Sequence, residues 1–536
     1  MLAVVHPGVL QDDITAGVRF FFGLPSFLRH KLSLDEAAAI LTRRLERRED
    51  DFLTLARDAI YSQPASPYRQ LLEVAGCLYG DLERLVSSEG LEAALAVLHR
   101  RGVYLTVDEF KGRHPAVRGS STIAVNAGRV RNPLASIHLW SQSGGSRGRP
   151  TQAGIDFAHI RDRAVNEGLA LNARGGLDWA HAAWMPPGSW AIKHVLHHAV
   201  WGLVPAHWFS QVDPAAPGLA PRYRWSTQAL RWGSRLAGVH IPGPEHVSLE
   251  DPLPIAHWMV RLLRAGRTPH LHTFASSAVL LSQAALEAGL DLRGAQITTG
   301  AEPVTLARVA AIRETGACAI PSYGSEEAGA IGRGCMAPQA VDDVHLLHDL
   351  NAVIPAGQAT EKHELAPNTL LFSSLRRTAP WVLLNVSLGD QAVMSQQACG
   401  CPLQRLGWST HLRQIGSFEK LTTSGMNVLD SDVVRVLEET LPARFGGGPT
   451  DYQLLEEEAD QGISRLRLLV HPRLGPLDDR AVVETFLTAI GAGAGPQRIT
   501  GLVWREADVI DVQRRPPLAT AAGKIFHLHL KSHSST

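Results

Sequence analysis

The stretch from Ile297 to Pro321 limits the possible folds more than any other part of the chain. Ile297-Thr-Thr-Gly-Ala-Glu-Pro303 reads as a short strand running into a turn, and Val304–Glu314 as a helix. Thr315-Gly-Ala-Cys-Ala-Ile-Pro321 is a short apolar run bounded by Gly and Pro, as a buried strand is. Strand, helix and strand in alternation give a parallel sheet with helices packed on it. In open sheets of that kind, ligands bind at the carboxyl edge of the strands. Ser322–Gly332, which reads Ser-Tyr-Gly-Ser-Glu-Glu-Ala-Gly-Ala-Ile-Gly, is expected to be a loop on that edge. Its Tyr323 offers a ring to lie flat against a planar base. Glu327 offers the oxygen ligands that Mg²⁺ takes.

The 536 residues are too many for one ordinary core and predict two or three domains. Lys and Arg number 52, as do Asp and Glu. That balance argues against a nucleic-acid or membrane-surface protein, which needs a basic footprint. The start, Met1-Leu-Ala-Val-Val-His-Pro, lacks the basic flank of a signal peptide. The most apolar later stretch, Ala191–Phe209, holds Lys193 and several His and is broken by Pro205, so it is not read as a membrane span. Five cysteines in so long a chain are not a disulfide framework. The expectation is a cytoplasmic protein, with its oligomeric state left open.

Taken in order, Leu34–Arg101 reads as helices, with Ser33 and Glu36 spaced as a capping box. Ser143-Gly-Gly-Ser-Arg-Gly-Arg-Pro-Thr151 lies between an apolar piece and a helical pattern from Asp156 to Asn172. Its glycines let backbone N–H groups turn inward, its hydroxyls add donors and Arg147 adds charge, a combination suited to phosphate. Trp179–Phe209 is rich in Trp and His. His194, His197 and His198 fall on one helix face, read as lining for a pocket or packing ahead of a metal site. Pro214–Pro254 is read as irregular. Cys335, His345, Cys399 and Cys401 are the residue types that structural zinc prefers, although Cys-x-Cys is tighter than the usual spacing. Free buried thiols are the other reading. Leu370–Ser374 and Trp381–Val386 read as strands leading to Gly389-Asp390, where an acid can accept ribose hydroxyls. From Ile415 onward the pattern is that of a small α+β unit, ending in Gly523-Lys524.

The order of these motifs resembles the adenylate-forming (ANL) superfamily, which includes acyl-CoA synthetases, luciferases and peptide-synthetase adenylation domains. The likeness runs from about Pro115 to His529 and is greatest to phenylacetate–CoA ligases and acyl-protein synthetases. It implies an α/β fold with a large N-terminal adenylation domain, residues 1–414, whose first 110 or so residues are helical. A small C-terminal α+β domain, residues 415–536, would close over the active site. By that resemblance Ser143, Gly144, Gly145, Ser146 and Arg147 would hold phosphate. Gly300, Ala301, Glu302, Ser322, Tyr323, Gly324, Ser325 and Glu326 would line the nucleotide site, and Asp390 would take the ribose. Glu327 would bind Mg²⁺, and Lys524 would meet the reacting carboxylate and α-phosphate. A Cys/His/Cys/Cys cluster in phenylacetate–CoA ligase relatives matches Cys335, His345, Cys399 and Cys401 as zinc ligands. Glu326 stands where the family has Thr or Ser, and Gly416-Ser417 where it has Gly-Arg.

The resemblance implies ATP-dependent adenylation of a carboxylic acid and transfer of the acyl group to a thiol, CoA first among the acceptors. A carrier-protein thiol, an amine or a protein cysteine is the alternative acceptor, and a nucleotide-binding scaffold without catalysis is a third reading. The Trp- and His-rich stretch Trp179–Phe209 suggests an aromatic or otherwise bulky acid pocket.

Overall fold

A computed structural model describes residues 7–142, 152–216, 221–357, 365–366, 368–417, 421–423, 426–428, 430–458, 464–492, 504–505, 510–520 and 523–531. The chain begins with helices α1 (Pro7–Arg29) and α2 (Leu34–Glu46) and continues in helical segments to Phe110. Ser33 caps α2 by accepting from the Glu36 amide at 3.1 Å. A hairpin of β1 (Leu139–Gln142) and β2 (Gln152–Ile155) precedes α3 (Phe157–Ala173). Asp156 caps α3 through the Ala158 amide and draws in the Ser136 amide with its other oxygen. The alternating part then runs β3 (Ala180–Met185), α4 (Ser189–Val200), β4 (His207–Ser210), α5 (Pro221–Leu236), β5 (Pro244–His246), α6 (Leu253–Arg264), β6 (Pro269–Phe274), α7 (Ala275–Glu287), β7 (Gln296–Gly300), α8 (Leu306–Arg313) and β8 (Cys318–Ser325). It is followed by β9 (Gly329–Gly334), β10 (Val344–Leu346), β11 (Asn351–Pro355), β12 (Thr369–Ser374), β13 (Val386–Gln396) and β14 (Thr410–Ser417).

These strands form one 12-stranded sheet in the order β11-β12-β13-β14-β10-β9-β8-β7-β6-β3-β4-β5. From β5 to β8 every pairing is parallel. From β8 to β11 every pairing is antiparallel. Strand β8 is therefore the seam between two halves made differently. The parallel half is covered by crossover helices, as its all-buried strands require, and β3 is buried along its whole length. The antiparallel half packs on the N-terminal helices through Leu95, Leu98, Leu371, Phe372 and Trp381, all buried.

Three local expectations are corrected. Pro214–Pro254 is not irregular throughout, because α5 starts at Pro221, whose fixed φ suits a first helical turn. Ser322–Gly332 is not a free loop but the end of β8, a tight turn and the start of β9. The strand read at Trp381–Val386 begins instead at Val386. Asn385 sets that boundary: its φ is +49°, and its side-chain amide donates to the carbonyls of Leu95 and Val103. Asn tolerates this left-handed region better than most residues, so the chain turns there before entering the sheet.

The C-terminal part carries its own four-stranded sheet, β17-β16-β15-β18, made of β15 (Tyr452–Glu458), β16 (Ser464–Val470), β17 (Ile510–Arg514) and β18 (Leu528–Lys531). Helix α9 (Asp479–Gly491) packs on it through Val482 and Phe486, against buried Leu454, Leu468 and Trp504. This smaller sheet domain docks on α7 and α8. Arg308 of α8, about 1% exposed, is the centre of the contact. It donates to Glu438 at 2.7 Å, to Glu302 at 3.1 Å and to the Ile525 carbonyl at 3.3 Å, and it touches His527 at 3.2 Å. Burial alone would raise the Glu438 carboxyl, but Arg308, His527 and Thr305 outweigh it and hold the pKa at about 2. Among the described residues no helix is long and apolar enough to cross a membrane.

Arg308→Ala would leave two buried carboxylates facing each other without their cation. The expected cost is about 3–5 kcal/mol, read as a lower denaturant midpoint together with faster proteolysis of the C-terminal sheet domain. An unchanged midpoint and cleavage pattern would show that Arg308 does not hold the two parts together.

Candidate active site

The parallel pairing of β7 with β8 ends at Gly300 and Ser322. Beyond that point β8 continues only with β9, and the register shifts between Tyr323 and Gly324. Gly324 is needed there, since a Cβ would lie 2.6 Å from the Gly329 carbonyl. The turn that follows is fastened by the Ala328 amide donating to Ser325 Oγ at 2.9 Å. The two carboxylates of Glu326 and Glu327 are thus held at the tip of a tight hairpin on the seam of the sheet.

A cavity of about 200 Å³ opens at this edge. Its walls bring together Ala301, Glu302, Ser322, Tyr323, Gly324 and Asp390, six positions expected from the sequence to line a nucleotide site, along with Gly416, Ser417 and Phe526. The Tyr323 hydroxyl donates to Asp390 Oδ2 at 2.7 Å. Burial pushes the Asp390 carboxyl up to about 6, against the opposing effect of that hydrogen bond. Burial and the nearby Asp390 charge both raise the Tyr323 pKa, so the proton stays on the phenol. Asp390 lies within β13 opposite Ser417, not at a strand end as expected. Ser325 and Glu326 line an adjoining cavity with Lys193, His194 and His197. Ser143, Gly144, Gly145, Ser146 and Arg147 lie outside the described residues.

Glu302 does more than line a wall. It accepts from the Ser276 amide at 2.7 Å, the Ser276 hydroxyl at 2.9 Å and the Ile525 amide at 2.9 Å, besides its pair with Arg308. It therefore pins the residue next to Lys524. Glu326, the departure from the family pattern, is matched by Lys193 of α4, whose Nζ lies 2.5 Å from Oε1. Sequence reasoning did not foresee that partner, although Lys193 is the one charged residue in the apolar run of α4. With Glu326 compensated, Glu327 has no ion pair among the described residues, and burial raises its pKa.

Lys524 is half-buried, its ammonium 5.6 Å from the Phe274 ring centre and 5.9 Å from that of Phe526. Burial lowers its pKa, while Glu302, Glu326 and Glu327 counter the shift. Its loop is closed by the Thr520 amide on the Lys524 carbonyl at 2.8 Å and by the Lys524 amide on Thr520 Oγ1 at 3.2 Å. Gly523 has φ +73°, and a Cβ there would fall 1.9 Å from Gln211 Oε1. Gln211 is itself fixed, donating to Ser277 Oγ at 2.9 Å. The backbone and the space around it thus both specify glycine before the lysine.

A second cluster lies behind β10 and β14. Cys401 Sγ is 3.2 Å from His345 Nε2 and 4.0 Å from Cys335 Sγ, and Cys399 Sγ is 3.7 Å from the same imidazole nitrogen. Zinc–sulfur bonds of about 2.3 Å imply tetrahedral edges near about 3.8 Å, so this donor set fits one ion. His345 Nδ1 sits 2.6 Å from the Trp408 carbonyl, which fixes the tautomer and leaves Nε2 turned to the thiols. His411, not singled out from the sequence, also converges with Cys335, His345 and Cys399, while its Nδ1 bonds Asp343 at 2.7 Å. His348 bonds the Leu346 carbonyl instead. On the other side of the sheet, His194, His197 and His198 are buried on α4, and His181, His198 and His270 come together. His181 and His270 face each other across β3 and β6 with their Nδ1 atoms 2.8 Å apart.

Gly523→Ala is expected to lift the Lys524 loop off Gln211. Amide hydrogen exchange should then quicken at residues 516–527 and stay unchanged in α9. Wild-type protection of that loop in the variant would contradict the described packing.

The sequence matches no protein-family model and no curated protein. Among solved structures it is similar to 2-hydroxyisobutyryl-CoA ligase in the postadenylation state, in complex with R3-HIB-AMP, at 16% identity over 94% of this chain and 91% of that one, with a TM-score of 0.51. The same ligase in an open conformation, in complex with 2-HIB-AMP and CoA, matches at 16% identity over 93% of each chain with a TM-score of 0.43. O-succinylbenzoate coenzyme A synthetase from Bacillus subtilis, in complex with ATP and magnesium ion, matches at 12% identity over 73% of this chain and 69% of that one, with a TM-score of 0.40. The large mixed sheet, the small C-terminal sheet and the likeness to the first of these along almost the whole chain agree: this chain shares the fold of that ligase.

Proposed function

We propose that the chain joins a carboxylic acid to ATP, giving an acyl adenylate and pyrophosphate, and then passes the acyl group to a thiol, CoA, releasing AMP. The observation that carries this reading is the seating of Lys524. A loop of the small domain sets Lys524 over Phe274 of the large domain, within the electrostatic reach of Glu302, Glu326 and Glu327 and next to Phe526, which lines the same cavity as Tyr323 and Asp390.

In the first step a carboxylate oxygen attacks the α-phosphorus and pyrophosphate leaves. Two anions must meet, so the barrier is largely electrostatic. Lys524 supplies fixed positive charge between them, a preorganised contribution that needs no rearrangement at the moment of reaction. The Tyr323 ring offers a face to the base, and Asp390, one oxygen held by Tyr323, keeps its other oxygen for a ribose hydroxyl. Glu327 carries a carboxylate with no ion pair among the described residues, the kind of ligand a hard divalent cation takes. Mg²⁺ held there would neutralise phosphate charge. In the second step the thiol sulfur attacks the acyl carbon and AMP departs, and no protein nucleophile is needed. At a distance from this chemistry, Cys335, His345, Cys399 and Cys401 would hold a structural zinc that ties β9, β10 and the segment before β14 together.

Lys524→Ala is expected to slow ATP–pyrophosphate exchange by about 10²–10³-fold, a few kcal/mol of barrier, without lowering thermal stability. Exchange at the wild-type rate in the folded variant would remove Lys524 from the reaction. Loss of exchange in the wild type with every acid, while ATP still binds, would favour a scaffold.

The zinc assignment is tested apart from activity. Elemental analysis of the purified protein should find about one zinc per chain, and the Cys399→Ser, Cys401→Ser double variant should lose it and melt earlier. A wild-type protein free of zinc that melts as the chelator-treated sample does would reject the assignment.

A further inference from the structure

The cavity next to the nucleotide site is where the acid would sit, and its charge does not balance. It holds about 50 Å³ and shares Ala301, Ser322, Tyr323 and Gly324 with the larger cavity, so the two adjoin. Three cations line it: Arg163 from α3, Lys193 from α4 and Arg333 from β9. Lys193 is matched by Glu326 at 2.5 Å. Arg333 is matched by Glu167, whose Oε2 accepts from Nε at 3.0 Å. Arg163 has neither a hydrogen bond nor an ion pair among the described residues, and its Nε is buried without a partner. Burial, with Arg333 beside it, lowers the Arg163 pKa to about 10, so the guanidinium remains charged at neutral pH. Around it, His194 Nε2, His197 Nε2 and His272 Nδ1 are buried and also lack partners. Burial holds these three imidazoles neutral.

Arg163 is half-buried at the cavity wall, and an Nε kept from water without a partner is costly. An alkyl or aryl acid would leave that cost standing and would strand three imidazole nitrogens as well. A planar carboxylate is the group that a guanidinium pairs with best, and the neutral imidazoles have N–H donors to share with it. Resting on the ligase reading above, we infer that the acid is a short dicarboxylic acid: one carboxylate is activated at the nucleotide, and the other is held by Arg163 among His194, His197 and His272. This differs from the aromatic or otherwise bulky pocket suggested by the Trp- and His-rich stretch. Lys193 is spoken for by Glu326, which leaves Arg163 to set specificity. Bringing a second anion beside Glu167 and Glu326 is repulsive, and their existing pairs with Arg333 and Lys193 are what make it tolerable.

The test compares short straight-chain diacids with monoacids of the same length in ATP–pyrophosphate exchange, using the full-length protein. Calorimetric binding of each diacid to the same protein serves as the second readout. Diacids should be preferred by on the order of 10²-fold or more in kcat/KM, the scale on which a site built for a polar group rejects an analogue lacking it. Arg163→Met should erase that preference and abolish diacid binding, whereas Arg163→Lys, which keeps the charge, should retain part of both. Should Arg163→Met fail to fold, the wild-type preference and the Arg163→Lys result decide. Monoacids preferred by the wild type would overturn the inference and leave the ligase reading intact. Diacid binding that depends on Arg163, with no exchange for any acid, would keep the inference and sink the ligase reading. Neither binding nor exchange would remove both. An Arg163→Met variant that binds ATP more weakly, with its acid preference unaltered, would assign Arg163 to phosphate and also overturn the inference.

Discussion

The structure depends on one buried guanidinium. Arg308 joins Glu302, at the end of β7, to Glu438, His527 and the Ile525 carbonyl of the C-terminal part. Each of those groups would be costly to bury alone. Together they satisfy one another and fix where the small sheet domain sits on the large one. Glu302 links this hub to the chemistry, because the same carboxylate accepts from the Ile525 amide, one residue beyond Lys524. The position of the lysine is therefore set by a network that fails if either domain turns. Buried ion clusters of this kind contribute little net stability but are strongly destabilising when broken. That asymmetry suits a contact whose purpose is geometry.

The second constraint is the change of pairing at β8. The parallel pairing of β7 with β8 ends at Ser322, and the antiparallel continuation with β9 carries Tyr323 past that point and turns it toward β13. The Tyr323 ring and the Glu326 and Glu327 carboxylates are thereby gathered on one hairpin, with Asp390 of β13 accepting from the tyrosine hydroxyl. The same hairpin faces both cavities, so the groups expected at the nucleotide and those at the acid share one rigid support. Lys193 and Arg333 neutralise Glu326 and Glu167 within it. Among the described residues, Glu327 and Arg163 have no ion pair, as is also true of Asp390 and Lys524. A binding site prepared for a divalent cation and a second carboxylate has this pattern of unmatched charge.

Much of the fold was legible because it is written locally. The alternation around Ile297–Pro321 predicted the parallel sheet, and the resemblance carried by motif order implied that Tyr323 and Asp390, which line one cavity, lie together. What escaped was written at long range. Nothing near Arg308 in the sequence announces Glu438 or His527, since an ion pair across more than a hundred residues leaves no periodic trace. The helix from Pro221 was hidden because proline reads as a breaker although it also opens helices. Asp390 was placed at a strand end because the left-handed turn at Asn385, which delays the strand, depends on carbonyls of the N-terminal helical region. Glu326 looked like an unpaired excess of charge until α4 supplied Lys193. His411 beside the thiols belongs to the same class, brought in by the β10–β14 pairing.

The central claim is that a carboxylate oxygen of the acid becomes bonded to the α-phosphorus of ATP. Heavy-oxygen labelling of the acid tests this most directly. After turnover with labelled acid, ATP and CoA, mass spectrometry of the released AMP should show one labelled oxygen per molecule, because the bridging oxygen leaves with the nucleotide when the thiol attacks carbon. Unlabelled AMP, or ADP as the product in place of AMP, would contradict the account.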